Sequence, residues 1–304
     1  MSFQFDFGDV STGQKPSAAL HESKPRNALS AKLLTIQSTA QPEHVFGELV
    51  QCSPSTTLFR RSVSDVKFQI ASTETLTGEA SNELVESIEQ QSDLISGVYE
   101  GGLKTWECSI DLVAYLELTY GSSSMHGLQV LELGCGSALP GIYCLKLGAH
   151  VDFQDYNEPV LRMVTIPNIL LNTICQPVQN DISEGSFETE VVCDQYIAQL
   201  NFYSGDWKSM LNLLEASPPI RQYDVILTSE TIYEAQCQAD LFKLIKAVVK
   251  PGGIVLVASK SVYFGCSGSL NDFRRLVISD GSCQISTVFI NSQTVRREIT
   301  QLSF

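Results

Sequence analysis

The residues best placed to do chemistry lie in one run, LELGCGSALPG, from Leu131 to Gly141. A short apolar stretch, LQVLELG (Leu128 to Gly134), reads as a buried strand. The chain then turns through Gly134-Cys135-Gly136, and a helix starts near Pro140. Glycines at such a turn let backbone N–H groups approach a ligand, and the helix N-terminus faces the same crevice. Gly-x-Gly alone is weak, and the run departs from the dinucleotide fingerprint, which wants a third glycine or alanine where Leu139 stands. The second part of the signal is Asp155, at the end of the next strand-like stretch, HVDFQDY (His150 to Tyr156). A carboxylate there can accept hydrogen bonds from both hydroxyls of a ribose. The competing reading is a structural turn with an incidental surface aspartate. The two features together favour a ligand site.

Two further groups fall at strand ends on the same expected edge. Gly205-Asp206-Trp207 offers a carboxylate for an adenine amino group and an indole to flank its ring. The same tripeptide also reads as a helix N-cap, Asp206, followed by a core aromatic, Trp207. Ser229-Glu230-Thr231-Ile232-Tyr233 follows the apolar strand DVILTS (Asp224 to Ser229). Polar side chains just beyond a strand of an open α/β sheet stand where ligands bind, although Glu230 could equally cap a helix. Upstream, GVYEGGLKTWECSIDLVAYL (Gly97 to Leu116) joins a glycine turn to an apolar-periodic helix with Trp106 and Glu107 at its start. It could close over a ligand, or it could be a packing helix anchored by Trp106.

These groups need a scaffold, and the pattern supplies one. Glu158 to Leu171 reads as a helix, and Cys237 to Val249 is amphipathic. Pro251-Gly252-Gly253 turns into the strand IVLVAS (Ile254 to Ser259). Strands separated by helix-length segments imply right-handed crossovers and a parallel sheet covered on both faces. CQISTVFI and TVRREITQLSF read as a terminal antiparallel pair. Residues 1–90 differ: they are rich in Ser, Pro, Gln and Thr, which predicts a mostly disordered arm, with a strand possible within Leu58 to Ile70. On this reading, removing the arm leaves ligand affinity unchanged, and residues 91–304 form the catalytic domain.

Composition narrows the function. A formal charge of −14 opposes binding to nucleic acid by phosphate neutralisation and is compatible with a basic protein partner. Nine scattered cysteines with no CxxC, and histidines that never pair with a nearby cysteine, argue against structural zinc and for reduced intracellular thiols. The start MSFQFDFGDV has neither a basic nor an apolar region, and no apolar run reaches membrane-spanning length. A soluble intracellular protein is expected.

At this point the residues resemble a family. SDLISGVYEGGLKTWEC, LELGCGSALPGI, FQDYN, FYSGDW, LTSETIY and ASKSVYFG, in this order, look like the seven-strand S-adenosylmethionine-dependent methyltransferases. Within them the chain is similar to the protein-histidine methyltransferases of the histidine protein methyltransferase 1 type. The resemblance runs from about Ser92 to the C-terminus and touches Phe3 to Phe5. Related lysine methyltransferases share an acidic-x-x-aromatic element, here Glu230 to Tyr233, while SETIY and FQDYN tip the reading toward histidine.

The resemblance implies an α/β, Rossmann-like seven-strand sheet, mostly parallel with a C-terminal antiparallel pair and helices on both faces. It implies S-adenosyl-L-methionine contacts from Lys104, Thr105, Trp106, Glu107 and Cys108, and from Gly134 and Gly136. Further contacts are implied from Gln154, Asp155 and Tyr156, from Gly205, Asp206 and Trp207, and from Ser229. Leu139-Pro140 replaces a softer turn and could shift the helix start. The insert from Val178 to Gln199 is acidic, with no basic run to support nuclear import.

The implied substrate is a large-subunit ribosomal protein, met by a monomeric, cytoplasmic or partly nuclear enzyme without metal, membrane or direct nucleic-acid contact. Neutral imidazole is a competent nucleophile near its ordinary pKa of ~6.5, so catalysis would rest on in-line placement. Glu230 is the candidate to stabilise charge on the ring, with Tyr233 as wall or hydrogen-bond partner. The alternatives are a protein-lysine methyltransferase and a non-catalytic S-adenosylmethionine-binding module.

Overall fold

The computed structural model describes residues 28–38, 41–77, 94–95, 98–121, 123–177, 182–193 and 195–304. The Phe3–Phe5 segment, and Ser92, Asp93, Ser96 and Gly97 of the first motif, lie outside the described residues.

In chain order the elements begin with β1 (Lys32–Leu33), β2 (Glu43–Gln51), β3 (Thr57–Arg61) and α1 (Val63–Thr77). Then come α2 (Glu107–Tyr120), β4 (Gln129–Leu133), α3 (Leu139–Lys146) and β5 (His150–Asp155). The next helix starts as α4 (Glu158–Val160), passes through a π turn at Leu161–Thr165 and continues as α5 (Ile166–Thr173). Strands β6 (Ser186–Val191) and β7 (Phe202–Ser204) precede α6 (Trp207–Glu215) and β8 (Tyr223–Ser229). The chain closes with α7 (Ala235–Val248), β9 (Val249–Lys260), α8 (Leu270–Asp280), β10 (Gln284–Asn291) and β11 (Arg297–Ser303).

The main sheet has the order β1-β7-β5-β4-β8-β9-β11-β10. β7, β5, β4, β8 and β9 run parallel, β11 lies antiparallel to β9, and β10 pairs antiparallel with β11 at the edge. The apolar runs that read as strands are buried on both faces, as a covered parallel sheet requires. Val130, Leu131, Leu133, Ile226 and Leu227 are all but inaccessible. One core layer joins β4 and β5 to α2, α3 and α5, and the other joins β8 and β9 to α6, α7 and α8. Truncating any one of these leucines to alanine would cost about 2–5 kcal/mol. Chain order runs outward from β4 in both directions, so the switch point of the sheet lies at the C-terminal end of β4, above Leu133.

The fold differs from expectation in two places. The sheet carries an eighth strand, because β1 pairs antiparallel with β7 through Lys32–Ser204 and Leu33–Tyr203. Residues 28–38 and 41–77 are also not a disordered arm: β3, β2 and β6 form a second, three-stranded sheet, followed by α1. The strand looked for between Leu58 and Ile70 is Thr57–Arg61, and the rest of that stretch is helical. Composition misled because this polar segment uses borrowed partners. Asn168 and Asn172, one turn apart on α5, accept from the backbone N–H groups of Arg61 (2.7 Å) and Phe59 (2.9 Å) and so satisfy the β3 edge. The buried Arg61 guanidinium is neutralised by Asp65 at 2.6 Å and Glu43 at 2.8 Å. The acidic insert after Val178 supplies the third strand, β6.

Candidate active site

The turn after β4 is shaped by backbone conformation. Gly134 and Gly136 have φ of +63° and +49°. A Cβ on Gly134 would meet the Thr231 side chain at 2.5 Å, so no larger residue fits between the β4 and β8 ends. Ala138 takes a left-handed conformation, and α3 begins directly at Leu139 with Pro140 in its first turn. The Leu139-Pro140 departure leaves the turn intact.

Around it opens a cleft. Gly134, Gly136, Gln154, Asp155 and Tyr156 form one wall, and Gly205, Asp206, Trp207 and Ser229 form the next. Lys104 and Trp106, ahead of α2, complete it. Asp155 is buried, and its carboxylate accepts from the N–H of Gly136 at 2.9 Å and of Asn157 at 3.2 Å. Burial pushes its pKa up to about 6, against the pull of those two N–H groups. Gln154 ties the walls together. Its Oε1 accepts from Gly134 N–H (3.1 Å) and the Trp207 indole (2.9 Å), and its amide donates to Gly205 O (2.8 Å). Asp206 caps α6 by accepting from Ser209 N–H at 2.8 Å while also lining the cleft.

Support for the turn comes from the π turn, a feature frequent at functional sites. It sets Thr165 to donate to Gly136 O at 2.7 Å. One turn on, Asn168 donates to Ser137 O at 3.0 Å while accepting from Arg61, which links the small sheet to the glycine loop.

The structure does not bring Thr105, Glu107 and Cys108 into this cleft. Once α2 starts at Glu107, the helical period sends successive side chains in different directions. Trp106 and Ser109 face the cleft, Cys108 is buried, and Glu107 reaches out to Lys260 at 3.1 Å. Burial raises the thiol pKa of both Cys108 and Cys135, which removes them as thiolate nucleophiles.

A second cavity adjoins the first and shares Glu100, Trp106, Glu230 and Tyr233 with it. Its remaining wall includes Lys260, Tyr263 and Phe264. Glu230 stands at the junction with φ +56°, a left-handed conformation that costs a non-glycine residue about 1–3 kcal/mol. Its N–H donates to Ala258 O at 2.9 Å, which holds it there. The Glu230 side chain is only 6% exposed, and Oε1 has no hydrogen-bond partner among the described residues, the Lys260 ammonium lying 3.6 Å away. Tyr233 donates its hydroxyl to Glu100. Sequence reasoning passed over Glu100, Lys260 and Tyr263. Lys260 was findable, because it ends an apolar strand just as Glu230 follows one. Glu100 sits in an irregular segment with no period to read.

A family model described as lysine methyltransferase matches residues 89–265. The chain is 31% identical to the histidine protein methyltransferase 1 of Schizosaccharomyces pombe over 80% of its length and 76% of the relative's. The chain belongs to the histidine protein methyltransferase 1 family. The Bos taurus homologue is 38% identical over 73% of this chain. That match spans 60% of the bovine protein's length. A Danio rerio protein N-lysine methyltransferase matches more weakly, at 25% over 52% of this chain.

The cofactor of this methyltransferase family is S-adenosylmethionine, and the cleft fits it. A buried carboxylate at the β5 end, a glycine turn with N–H groups at the switch point and an indole beside Gly205 match ribose, amino-acid and adenine portions in chemistry. Among the described residues no cluster could hold a metal ion, and no helix is long and apolar enough to cross a membrane.

Proposed function

We propose that this chain is a protein-histidine N-methyltransferase whose acceptor is a basic protein, by resemblance one of the large ribosomal subunit. The observation that carries this reading is the buried Glu230 carboxylate between the cofactor cleft and the second cavity, whose Oε1 forms no hydrogen bond among the described residues and has the Lys260 ammonium at 3.6 Å as an ion-pair neighbour. A buried acceptor without a hydrogen bond costs about 1–3 kcal/mol, and the 3.6 Å ion pair leaves room for a closer donor to relieve it. A neutral imidazole supplies one: its ring N–H can donate to Glu230 while the other nitrogen points at the cleft. Bound S-adenosylmethionine would supply an electrophilic methyl group on a sulfonium.

The chain's own residues then have three tasks. Asp155, Gln154 and the glycine turn fix the cofactor, leaving the in-line approach to be set by geometry, which can supply up to ~7–11 kcal/mol. Trp106 and Tyr233 wall the passage between the cavities and exclude water. Glu230 fixes the tautomer and stabilises the positive charge that develops on the ring. Asp155, Gln154 and the glycine turn would hold S-adenosylmethionine as it supplies the methyl group to the acceptor nitrogen and keeps the carbon–sulfur electron pair on its sulfur. The other ring nitrogen releases its proton toward Glu230, so the product is neutral methylhistidine. The net charge of −14 supports a basic partner.

The test is transfer of labelled methyl from S-adenosylmethionine to cell extract, followed by hydrolysis and amino-acid analysis. Methylhistidine is expected. Methyl-lysine in its place, or cofactor binding with no transfer at all, overturns the reading.

A further inference from the structure

The acceptor cavity already contains a cation. The Lys260 Nζ lies 3.1 Å from Glu107 Oε2, 3.6 Å from Glu230 Oε1 and 5.3 Å from the centre of the Trp106 ring. Two carboxylates and an indole face are the elements of a seat for an alkylammonium group. Here the occupant is the chain's own lysine, delivered by the last residue of β9. Its side chain is 19% exposed. Burial works against its charge, but Glu230 and Glu107 more than offset that and hold its pKa above the usual lysine value.

We propose that Lys260 is a specificity-determining residue that selects histidine over lysine by filling this seat. The inference rests on the histidine reading above and names what enforces it. An incoming lysine would need the space and the two carboxylates that Lys260 uses, and its ammonium would face a fixed like charge. A neutral imidazole brings no charge and presents an N–H to Glu230 Oε1, the oxygen that Lys260 approaches without hydrogen-bonding. The discrimination comes from an obstacle to the wrong acceptor as much as from a fit to the right one. Trp106 is pinned in place, its indole donating to Gly101 O at 3.1 Å, so the face of the seat persists when its occupant is removed.

The experiment compares wild type with Lys260→Ala, Lys260→Met and Lys260→Arg. Each is incubated with labelled S-adenosylmethionine and heat-treated cell extract, and methylhistidine and methyl-lysine are quantified after hydrolysis. Lys260 does not line the cofactor cleft, so calorimetric affinity for S-adenosylhomocysteine should stay within about threefold and reports folding. Lys260→Ala empties the seat and should raise the ratio of methyl-lysine to methylhistidine on the order of tenfold or more. Lys260→Met removes charge but keeps bulk and should give a smaller rise, and it stands in if the alanine variant does not fold. Lys260→Arg keeps both and should retain the wild-type ratio. An unchanged ratio in both neutral variants, with methylhistidine still formed, overturns the role of Lys260 alone. So does loss of both products with cofactor affinity intact, since Lys260 would then serve histidine transfer itself. Methyl-lysine from the wild type overturns the histidine reading and this inference together.

Discussion

The carboxylate of Asp155 accepts from the N–H of Gly136 at 2.9 Å, so the residue expected to hold ribose also holds the glycine turn. One side chain thus both shapes the turn and lines the cleft. Asp155→Asn preserves size and one acceptor but removes the charge. Each charge-assisted hydrogen bond contributes about 1.5–3 kcal/mol, so cofactor affinity should fall at least tenfold. Calorimetric titration measures it, and wild-type affinity in the variant would remove Asp155 from the site.

Glu230→Gln should separate binding from turnover. Glu230 lines both cavities, and on the proposed reading its carboxylate serves the acceptor, so cofactor affinity should hold while turnover falls on the order of a hundredfold through lost charge stabilisation. In wild type the rate should rise through the imidazole pKa of ~6.5 and level off by about pH 8. A lysine acceptor would instead keep climbing toward its pKa of ~10.4. Single-turnover rates across pH 5.5 to 9.5 distinguish them.

Residues 28–34 should matter for cofactor binding, contrary to what their composition implied. Asp206 N–H donates to Leu29 O at 3.0 Å, and Gly205, at φ +103°, is covered by the Ala31 backbone. A Cβ at Gly205 would lie 2.5 Å from the Ala31 Cα. Gly205→Ala and removal of residues 1–34 should both weaken cofactor affinity severalfold. Equilibrium binding checks both, and an unchanged affinity after truncation would make β1 irrelevant to the cleft.

Glu132 gives stability a pH dependence of known sign. It is fully buried, and burial pushes its pKa from near 4.5 to about 8, against a 2.8 Å hydrogen bond from Gly141 N–H. Between those values the folded state holds a proton that the unfolded state has released. Stability therefore falls as pH rises from about 4.5 to 8, by about 1.4 kcal/mol per pH unit on this group's account. Asp155, raised from 3.8 to about 6, adds to the slope in the lower part of that window. Glu132→Gln keeps an acceptor for Gly141 and should flatten the profile, gaining on wild type most at pH 8 and above. Denaturant unfolding at several pH values decides it, and parallel curves would refute it.

What the sequence revealed follows from how far each signal reaches along the chain. Apolar runs such as Leu128–Gly134 and Asp224–Ser229 declare buried strands locally, and residues just beyond them inherit a place at the sheet edge. That is why Gly134, Asp155 and Ser229 could be placed from the text alone. Lys104 to Cys108 could be placed only as a block, because the choice between Trp106 and Cys108 depends on the residue at which α2 begins. The ordering of residues 28–38 and 41–77 was hidden because partners such as Asn168 and Asn172 lie on a distant helix and look like ordinary polar positions. Lys260 could be placed at the sheet edge by the apolar run it ends, but a strand-end lysine is usually a solvated charge, and only its distances to Glu107 and Glu230 reveal the seat.

The pairing of Lys32 with Ser204 also sets an order of events. The strand synthesised first waits for one made much later, since β7 must emerge before β1 has anything to pair with. Closing so long a loop adds little to the equilibrium cost, which grows only with the logarithm of length, but such distant contacts form slowly. The Gly205 side of the cleft thus depends on stretches far apart in sequence, whereas the glycine turn and Asp155 lie close together along the chain. A ligand bound beside Gly205 would sense whether those two remote stretches have met, so its binding would report on maturation.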